Sequence, residues 1–352
     1  MTQAVTNNLD YLAARAHARR SRLADAQCLD TFCRLRSIPE LAAARHPEFK
    51  TETATAWQHQ LTQALVRELI YWQKNLKGPA ARLLHWLLVR FQLENLKALL
   101  RAWRARVSTA TVRPQLILLP PELRLDADIP ADVTSLSHLA RRLPEGVFRE
   151  CLERLPARAP AAASPFLTEA ALDRTYFEEL LRLTSQLAGE DHDCIHAAAQ
   201  QEADTFHLML VARGKFVHGL PVELLNRLHV AGAGISRIRL NAMLTDTDLR
   251  TALRRAVGPA LDAVPTTPEG EPAAASFATA LEAATRRRLM RLAHRACRGG
   301  FTGLGAIVGY AVLRRIEAAD LTTISEGIRL AVPGEGLRAR LTTSQKVEAT
   351  HV

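Results

Sequence analysis

The sequence is poor in aromatic residues, in cysteines and in long apolar runs. Aromatic residues make up 5% of the 352 residues, and the five cysteines form no C-x-x-C pair. This odd, unpaired set excludes a disulfide framework or a zinc ribbon and predicts reduced thiols. The apolar run AIVGYAVL at 306–313 is far shorter than the ~20 residues of a membrane-spanning helix. The first residues, MTQAVTNNLD, are polar and lack a signal-peptide pattern. We therefore expect a cytoplasmic chain with at most a peripheral role at a membrane.

Alternating patterns of Val, Ile, Thr and Tyr, which are typical of strands, are also scarce. Leu, Ala and Arg dominate, and most segments place apolar residues at helical spacing. The predicted fold class is therefore all-α. Two segments rich in Pro, Ala and small polar residues, at 157–165 and 264–276, are typical of linkers. The tail after Leu341 has no periodicity and is expected to fray.

Positive charge is concentrated in the first third of the chain. The formal net charge is +10, and residues 1–124 hold 19 Lys and Arg against 9 Asp and Glu, whereas the remaining residues hold 27 of each kind. One interpretation is a docking surface for an acidic partner, with Arg101, Arg104 and Arg106 carrying the strongest contact. The other interpretation is an ordinary set of solvated helix faces, and both stay open.

The segment 92–106 is predicted to be the middle of a long helix, and it carries a polar residue on its apolar face. On 3.6 residues per turn, Asn95 lies within a stripe of leucine, alanine and phenylalanine. Burying an amide without a partner costs about 1–3 kcal/mol, so this side chain needs a hydrogen-bond partner or a function. Two other segments align with this helix without gaps and place Thr205 and Asp320 at the position of Asn95.

Further features recur with these aligned positions. The residue seven positions later is small each time, and beyond each helix a proline followed by an acid predicts the start of a new helix. The small residues are Ala102, Ala212 and Gly327, and the turn signals are LPPE at 119–122, LPVE at 220–223 and VPGE at 332–335. The aligned positions are 110 and 115 residues apart, a period that fits small domains better than a solenoid.

The repeats predict three helical lobes in a pseudo-threefold arrangement. The lobes are residues 1–124, which are basic, 125–238 and 239–341, followed by the tail 342–352. In this arrangement the aligned polar residues belong to an inner wall shared by the lobes and face one another or a cavity. The alternative for Asn95 is a buried amide bonded to a carbonyl of its own helix.

Three further motifs suggest other chemistry. His192 and His196 lie four residues apart, as in zinc sites on helices, but Cys194 between them falls on another face. The stretch 286–300, RRRLMRLAHRACRGG, predicts a basic amphipathic helix, which can bind nucleic acid or an anionic membrane, or form a solvated flank. The glycines of GGFTGLGAIVG follow no strand and form no nucleotide-binding pattern.

The chain resembles the C subunits of the V/A-type rotary ATPases, equivalent to the d subunits of the eukaryotic vacuolar enzymes, over nearly its whole length. The order and spacing of the matching stretches are more specific than any one of them. The stretches are YLAARAHARRSRL at 11–23, LENLKALLR at 93–101, ALDRTYFEELL at 171–181, EADTFHLMLVARGK at 202–215, LPVELLNRLHVAGAGIS at 220–236 and IVGYAVLRRIEAADLTTISEGIR at 307–329.

The resemblance implies a funnel of three helical lobes with a central cavity and with no catalytic site, cofactor or metal. In the family, one side of the funnel receives the central shaft subunits D and F, and the other sits on the cytoplasmic face of the membrane proteolipid (c or K) ring. The membrane-embedded stator subunit is a further candidate partner, and nucleic acid is not expected. The chain would be a non-catalytic central-stalk socket that couples the shaft to the ring for ion transport.

The family pattern of an acid, a small polar residue and a following basic residue selects candidate inner-wall or interface residues. These are Asn95, Arg101, Glu202, Thr205, Arg213, Lys215, Glu317, Asp320 and Arg329. The sequence departs from the pattern at Gln92, which stands where the later repeats have an acid, and at the polar position itself.

Two alternatives from other classes stay open. The first is a basic helical nucleic-acid-binding protein, motivated by the charge of residues 1–124, which predicts steeply salt-dependent binding to duplex DNA or RNA. The second is a metal-dependent enzyme built on His192 and His196.

Overall fold

The computed structural model describes residues 3–155, 164–257, 274–299 and 303–342. Within these ranges the chain is helical and contains no strand, so the predicted all-α class is confirmed. Most of the two predicted linkers, at 157–163 and 264–273, and the tail from 343 onward lie outside the described residues.

After an N-terminal helix, α1 (Gln3–Arg20), the described helices follow the same order three times: two short helices, two long helices and one short helix. The first series is α2 (Ala26–Phe32), α3 (Ile38–Arg45), α4 (Ala54–Lys74), α5 (Gly78–Ala105) and α6 (Thr109–Val112). The second is α7 (Leu136–Arg142), α8 (Val147–Arg154), α9 (Pro165–Thr184), α10 (Gly189–Met209) and α11 (Val222–Asn226). The third is α12 (Arg237–Thr245), α13 (Leu249–Val257), α14 (Ala274–Gly299), α15 (Leu304–Arg329) and α16 (Gly334–Arg338).

Three irregular helical segments complete the described elements. Two 3-10 turns follow α6, at Arg113–Gln115 and Pro121–Leu123, and a π-helical segment, Leu210–Val217, extends α10. We name α5, α10 with its π-helical extension, and α15 the hub helices.

Several short helices begin at a residue whose side chain caps the free backbone amides. Asp25, Ser37 and Ser135 each accept a hydrogen bond from the amide three residues later. Ser108 and Ser236 begin α6 and α12 in the same way. Because such a cap stabilises a helix by about 1 kcal/mol, the local sequence determines where these helices start.

The chain forms two compact units. Unit one comprises residues 1–81, 188–198 and 283–352, and unit two comprises residues 82–187 and 199–282. Both predicted lobe boundaries, after residues 124 and 238, fall within the ranges of unit two, and the second lies inside α12. The three-lobed funnel with a central cavity stays a prediction.

The core of unit one is built around α15. Helices α1 and α4 pack against it, and an apolar cluster that includes Trp57, Leu61 and Leu321 joins α4 and α15 to α2, α3 and α16. On the other side, Gly309 allows α14 to approach closely, since a Cβ there would lie 2.7 Å from the carbonyl oxygen of Ala293.

Unit two contains a stack of aromatic side chains. Trp86 on α5 stacks on Tyr176 of α9 with ring centroids 5.6 Å apart, and on Phe148 of α8 at 6.3 Å. The Trp86 Nε1 also donates to the carbonyl oxygen of Tyr176 at 3.0 Å. Aromatic pairs add about 0.5–1.5 kcal/mol beyond the burial of their area, so this cluster fastens α5 to α8 and α9.

Candidate functional site

The side chain of Asn95 is buried in α5 and bonded to backbone on both of its polar atoms. Its Nδ2 donates to the carbonyl oxygen of Ile117 at 2.8 Å, and its Oδ1 accepts from the amide of Ile117 at 2.8 Å. The two bonds tie the segment after α6 to the middle of α5. The amide is therefore satisfied by a later segment and not by a carbonyl of its own helix.

Asp320 has the same arrangement on α15. Its carboxylate is buried, and Oδ1 accepts a hydrogen bond from the amide of Thr342 at 2.9 Å. Asn95 and Asp320 each bond a residue 22 positions later, so the predicted equivalence of these two residues agrees with their bonding. We name a residue that ties its hub helix to a later segment in this way an anchor residue.

The anchor residue of the second repeat is His207 and not Thr205. The Thr205 hydroxyl donates to the carbonyl oxygen of Gln201 within the same helix at 2.8 Å. His207 is fully buried, and its Nε2 accepts from the amide of Val230, 23 positions later, at 2.9 Å. The predicted register of the second repeat is therefore wrong by two residues.

The one additional residue between His207 and Val230 has a structural explanation. The π-helical segment Leu210–Val217 lies between them, and a π-helical turn takes up an extra residue without ending the helix. An alignment without gaps cannot accommodate that insertion.

Each hub helix ends in the same hydrogen-bonded turn. The residue seven positions after the anchor residue accepts a backbone bond from beyond the helix end, and a residue with positive φ reverses the chain. The acceptor carbonyls of Ala102, Gly214 and Gly327 bond the amides of Val107, Leu220 and Val332. The positive-φ residues are Arg106 (53°), Gly219 (61°) and Ala331 (52°). The small residue of the second repeat is therefore Gly214, and the prediction of Ala212 is wrong.

A short helix follows each of these turns. LPVE and VPGE lie at the starts of α11 and α16, as predicted, with Pro221 and Pro333 at the N-caps. LPPE forms the 3-10 turn Pro121–Leu123 instead. The corresponding helix in the first repeat is α6, which begins after Ser108, so the prediction for LPPE is wrong.

Glycine at the end of a hub helix makes room for a leucine of the short helix. A Cβ built on Gly327 would overlap the side chain of Leu337, and one on Gly214 would lie 2.7 Å from Cδ2 of Leu225. Both leucines are buried. The small residue is thus required for packing the short helix onto the hub helix.

We expect Gly327→Ala to lower the free energy of unfolding by about 1–3 kcal/mol, because the side chain of Leu337 has to leave its packed position. Urea unfolding followed by circular dichroism measures the change. Gly336→Ala is the matched control, since its Cβ would meet Cγ1 of Val332 at an ordinary 3.5 Å, and we expect no loss or a gain below ~1 kcal/mol. Equal losses in the two variants would contradict the packing argument.

Glu317 on α15 is the centre of a buried charged network in unit one. Its Oε1 accepts from the amide of Ala24 at 2.8 Å and from the side chain of Arg45, and its Oε2 accepts from Arg314. Arg314 also donates to Nε2 of His46 at 3.3 Å. One carboxylate therefore links α15 to the start of α2 and the end of α3.

Burial favours the neutral form of the His46 imidazole in this network. Burial lowers the pKa of His46, and the charges of Arg314 and Arg45 act in the same direction, against a hydrogen bond to Glu48. A neutral ring can accept the hydrogen bond from Arg314, whereas a protonated ring has no free acceptor atom.

Glu202 forms an ion pair within unit two. Its Oε2 lies 2.6 Å from Nη1 of Arg90, and its side chain is 9% exposed. The guanidinium of Arg90 also lies 5.7 Å from the ring centroid of Tyr176. The predicted interface residue Glu202 is therefore engaged in packing α5 against α10.

The arginines among the candidate residues are exposed and each faces an acid. Hydrogen bonding to Glu169 raises the pKa of Arg101. The pairs are Arg101 with Glu169 at 2.5 Å, Arg213 with Glu282 at 2.7 Å and Arg329 with Glu326 at 2.7 Å. Exposed pairs of this kind contribute about 0–1 kcal/mol to stability, so these arginines can exchange partners at low cost.

Lys215, the remaining candidate, is half-buried. Its ammonium donates to the carbonyl oxygens of Leu244 and Asp246, and burial lowers the pKa of Lys215. The side chain therefore ties the π-helical segment to the end of α12.

The basic face of α5 is largely engaged within unit two. The Nζ of Lys97 lies 2.5 Å from Oδ1 of Asp173, and Nη2 of Arg104 donates to the hydroxyl of Thr168 at 2.8 Å. Together with the contact of Arg101 to Glu169, these interactions join α5 to α9, so part of the basic charge of residues 1–124 is paired within unit two.

His192 and His196 stack with ring centroids 5.1 Å apart, and burial, aided by His192, lowers the pKa of His196. Across the described ranges, no group of three or more His, Cys, Asp and Glu side chains could hold a metal ion. The histidine pair is therefore not proposed as a metal site.

His207 and the partners of Glu317 were not among the residues predicted from the sequence. An alignment allowing one inserted residue after α10 could have found His207. Arg45 lies 272 residues from Glu317, and no local pattern in the sequence connects them.

The comparison with protein families agrees with the resemblance seen in the sequence. Among the described helices, none is both long and apolar enough to cross a membrane. No curated protein matches the chain significantly, and the nucleic-acid alternative gains no support. The family model described as ATP synthase (C/AC39) subunit matches residues 12–340. Because this match includes all three hub helices and the short helices after them, the chain belongs to the ATP synthase (C/AC39) subunit family.

Proposed function

We propose that the chain is a non-catalytic central-stalk subunit of a V/A-type ATPase or ATP synthase. It acts as a peripheral socket on the cytoplasmic face of the membrane and couples the rotating D and F shaft subunits to the proteolipid ring. ATP turnover and ion transport then take place in other subunits. Membership of the ATP synthase (C/AC39) subunit family supports a place in such a complex.

The anchor residues are the observation that carries the proposal. A subunit that passes torque needs helices that keep their positions under load. Three times, a buried side chain ties a hub helix to the segment beyond its terminal turn. Because hydrogen bonds in a low-dielectric interior are costly to break, each repeat resists opening.

The ends of the hub helices supply apolar contacts for a partner protein. Val107, Val217 and Leu330 are 43%, 41% and 59% exposed, and each lies within or just beyond the terminal turn of a hub helix. Exposed apolar side chains at corresponding places can be buried by a protein partner. In this proposal the partner contacts come from these residues and from Arg101, Arg213 and Arg329. The supporting residues are Asn95, Glu202, Thr205, Lys215, Glu317 and Asp320.

The proposal is tested by mixing the purified chain with the cognate D and F subunits, and separately with the detergent-solubilised ring, followed by native mass spectrometry. We expect a one-to-one complex with the shaft and one copy per ring. If the folded chain binds neither, the proposed function is overturned.

A variant with serine at Val107, Val217 and Leu330 is expected to bind either the D and F subunits or the ring roughly tenfold more weakly, or less tightly still. The reason is that three apolar contacts are lost. The control carries serine at Leu118 and Ile238, which are 66% and 85% exposed and lie outside the hub helices and their terminal turns in the sequence. Equal affinities of both variants and the unmodified chain would exclude the hub-helix ends from the interface.

A further inference from the structure

Helix α14 exposes a row of arginines on one face. Arg288, Arg291, Arg295 and Arg298 are all exposed, and their spacing of three or four positions places them on a single stripe. At ~1.5 Å per residue, the stripe is about 15 Å long. Within the described part of the chain, none of the four forms an ion pair. We name these four residues the arginine row.

The opposite face of α14 is fixed in the core of unit one. Leu289, Ala293 and Cys297 are buried in an apolar cluster with Val312 and Ile316 of α15. Because this face is already used, the helix is not available to insert into a bilayer. The arginine row is therefore held outward by a rigid element.

The row combines four exposed arginines with a stretch of chain that has no acid. Some exposed arginines on other described helices pair with an acid three or four positions away, whereas others, such as Arg67 and Arg237, form no ion pair. The pairs are Arg34 with Asp30, Arg149 with Glu153, Arg154 with Glu150, Arg182 with Glu179 and Arg329 with Glu326. By contrast, residues 283–316 contain no Asp or Glu. The positive charge of the row is thus not neutralised on its own helix.

Neighbouring positive charge extends the field of the row. Burial lowers the pKa of His294, and the charges of Arg20 and Arg298 act in the same direction. Arg20 therefore lies close to the C-terminal half of α14 and adds its charge at that end. The carboxylate of Glu190, from another segment of unit one, also lies at this end, beside Gly299.

The chemistry of the row favours a flat, polyanionic partner. None of the exposed large hydrophobic side chains among the described residues lies on α14, whereas protein interfaces centre on apolar and aromatic anchors. Guanidinium groups bind phosphate oxygens in a bidentate manner. Between the two common polyphosphate surfaces, nucleic acid gains no support from the family, and a membrane-associated complex presents phospholipid.

We propose that the arginine row binds anionic phospholipid headgroups at the membrane surface. This inference rests on the proposed function, which places the chain beside a membrane ring. The contact is electrostatic and peripheral, and it adds to the protein contacts that hold the chain in its complex.

The test is flotation of the full-length chain with vesicles of phosphatidylcholine alone or with about one third phosphatidylglycerol. We expect the chain to bind the anionic vesicles only. This binding should weaken as salt is added, because the Debye length then falls below ~8 Å and the charges are screened. Glutamine at Arg288, Arg291, Arg295 and Arg298 is expected to weaken that binding by roughly 600-fold, since each of the four basic residues near an anionic surface contributes about fivefold.

The matched control removes four arginines that are as exposed but face an acid: Arg34, Arg113, Arg154 and Arg182, with side chains 68%, 59%, 78% and 55% exposed. We expect it to keep most of the vesicle binding, and thermal unfolding checks that both variants are folded. Equal losses in both variants would assign the binding to overall charge and overturn the proposal.

Other outcomes also decide the proposal. The lipid proposal is overturned if the unmodified chain does not bind anionic vesicles. It is also overturned if the variant with glutamine at the arginine row still binds the vesicles but loses binding to an acidic protein or to duplex DNA. Assembly with D, F and the ring is measured in parallel, so failure of the proposed function is seen in that assay and failure of the lipid contact in flotation.

Discussion

Glu317→Gln is expected to lower the free energy of unfolding by about 3–5 kcal/mol. The side chain is 4% exposed and lies between Arg45 and Arg314, which are 19% and 5% exposed. Glutamine has nearly the same shape but no charge, so two guanidinium groups lose their counter-ion where water cannot replace it. Urea unfolding at neutral pH, followed by circular dichroism, measures the loss.

Glu326→Gln on the same helix is the matched control for Glu317→Gln. Glu326 pairs with Arg329 at the surface, where the two side chains are 37% and 56% exposed. It also accepts from Nε2 of Gln58 at 2.7 Å, a bond that the carbonyl oxygen of glutamine can keep. Solvent and salt screen such a pair, so its loss is expected to cost less than ~1 kcal/mol. A loss for Glu317→Gln no larger than that of this control would show that the buried network does not stabilise unit one.

Acidification below pH ~6.5 is expected to lower the free energy of unfolding through protonation of His207, the anchor residue of the second repeat. Burial, with a smaller contribution from the charge of His229, lowers the pKa of His207 from 6.5 to about 3. The unfolded chain therefore binds this proton at a higher pH than the folded chain does. The stability due to His207 is fully present above pH 6.5 and is lost as the pH falls toward 3. At ~1.4 kcal/mol per pKa unit, the loss at pH 5 is about 2 kcal/mol.

His207→Gln isolates this contribution because glutamine does not titrate. Between pH 7 and pH 5, the variant should lose about 2 kcal/mol less stability than the unmodified chain, measured by urea unfolding at both pH values. His218→Gln is the matched control, since His218 is exposed and is the C-cap residue of the same hub helix. A pH dependence shared by all three proteins would contradict the assignment to His207.

Helix formation in this protein was predictable because it depends on neighbouring residues. Apolar spacing of three and four positions predicted the hub helices, and the same pattern predicted the all-α class that the described residues have. The equivalence of Asn95 and Asp320 was also predicted, since both lie at the same place in a local pattern and each bonds a residue 22 positions later.

Two local predictions failed where the local pattern was ambiguous. Thr205 aligns with Asn95 and Asp320 without gaps, and only the bond to Val230 identifies His207 as the anchor residue instead. LPPE has the composition of a capped helix start, yet it forms only a 3-10 turn. The short helix of the first repeat is α6, which lies earlier in the chain and begins after Ser108. For the second repeat, a hydrogen bond to a segment beyond the helix selected His207; for LPPE, the Ser108 cap places the short helix earlier in the chain.

The amino-acid sequence by itself determined the helices and many of their caps, because these depend on contacts within a few positions. Only the tertiary structure decided which charges are buried and which are free. Glu317 meets Arg45 from 272 positions away, Glu202 meets Arg90 from 112 positions away, and four arginines of α14 meet no acid among the described residues. Ion pairing depends on distance and burial in space, which packing of remote segments creates.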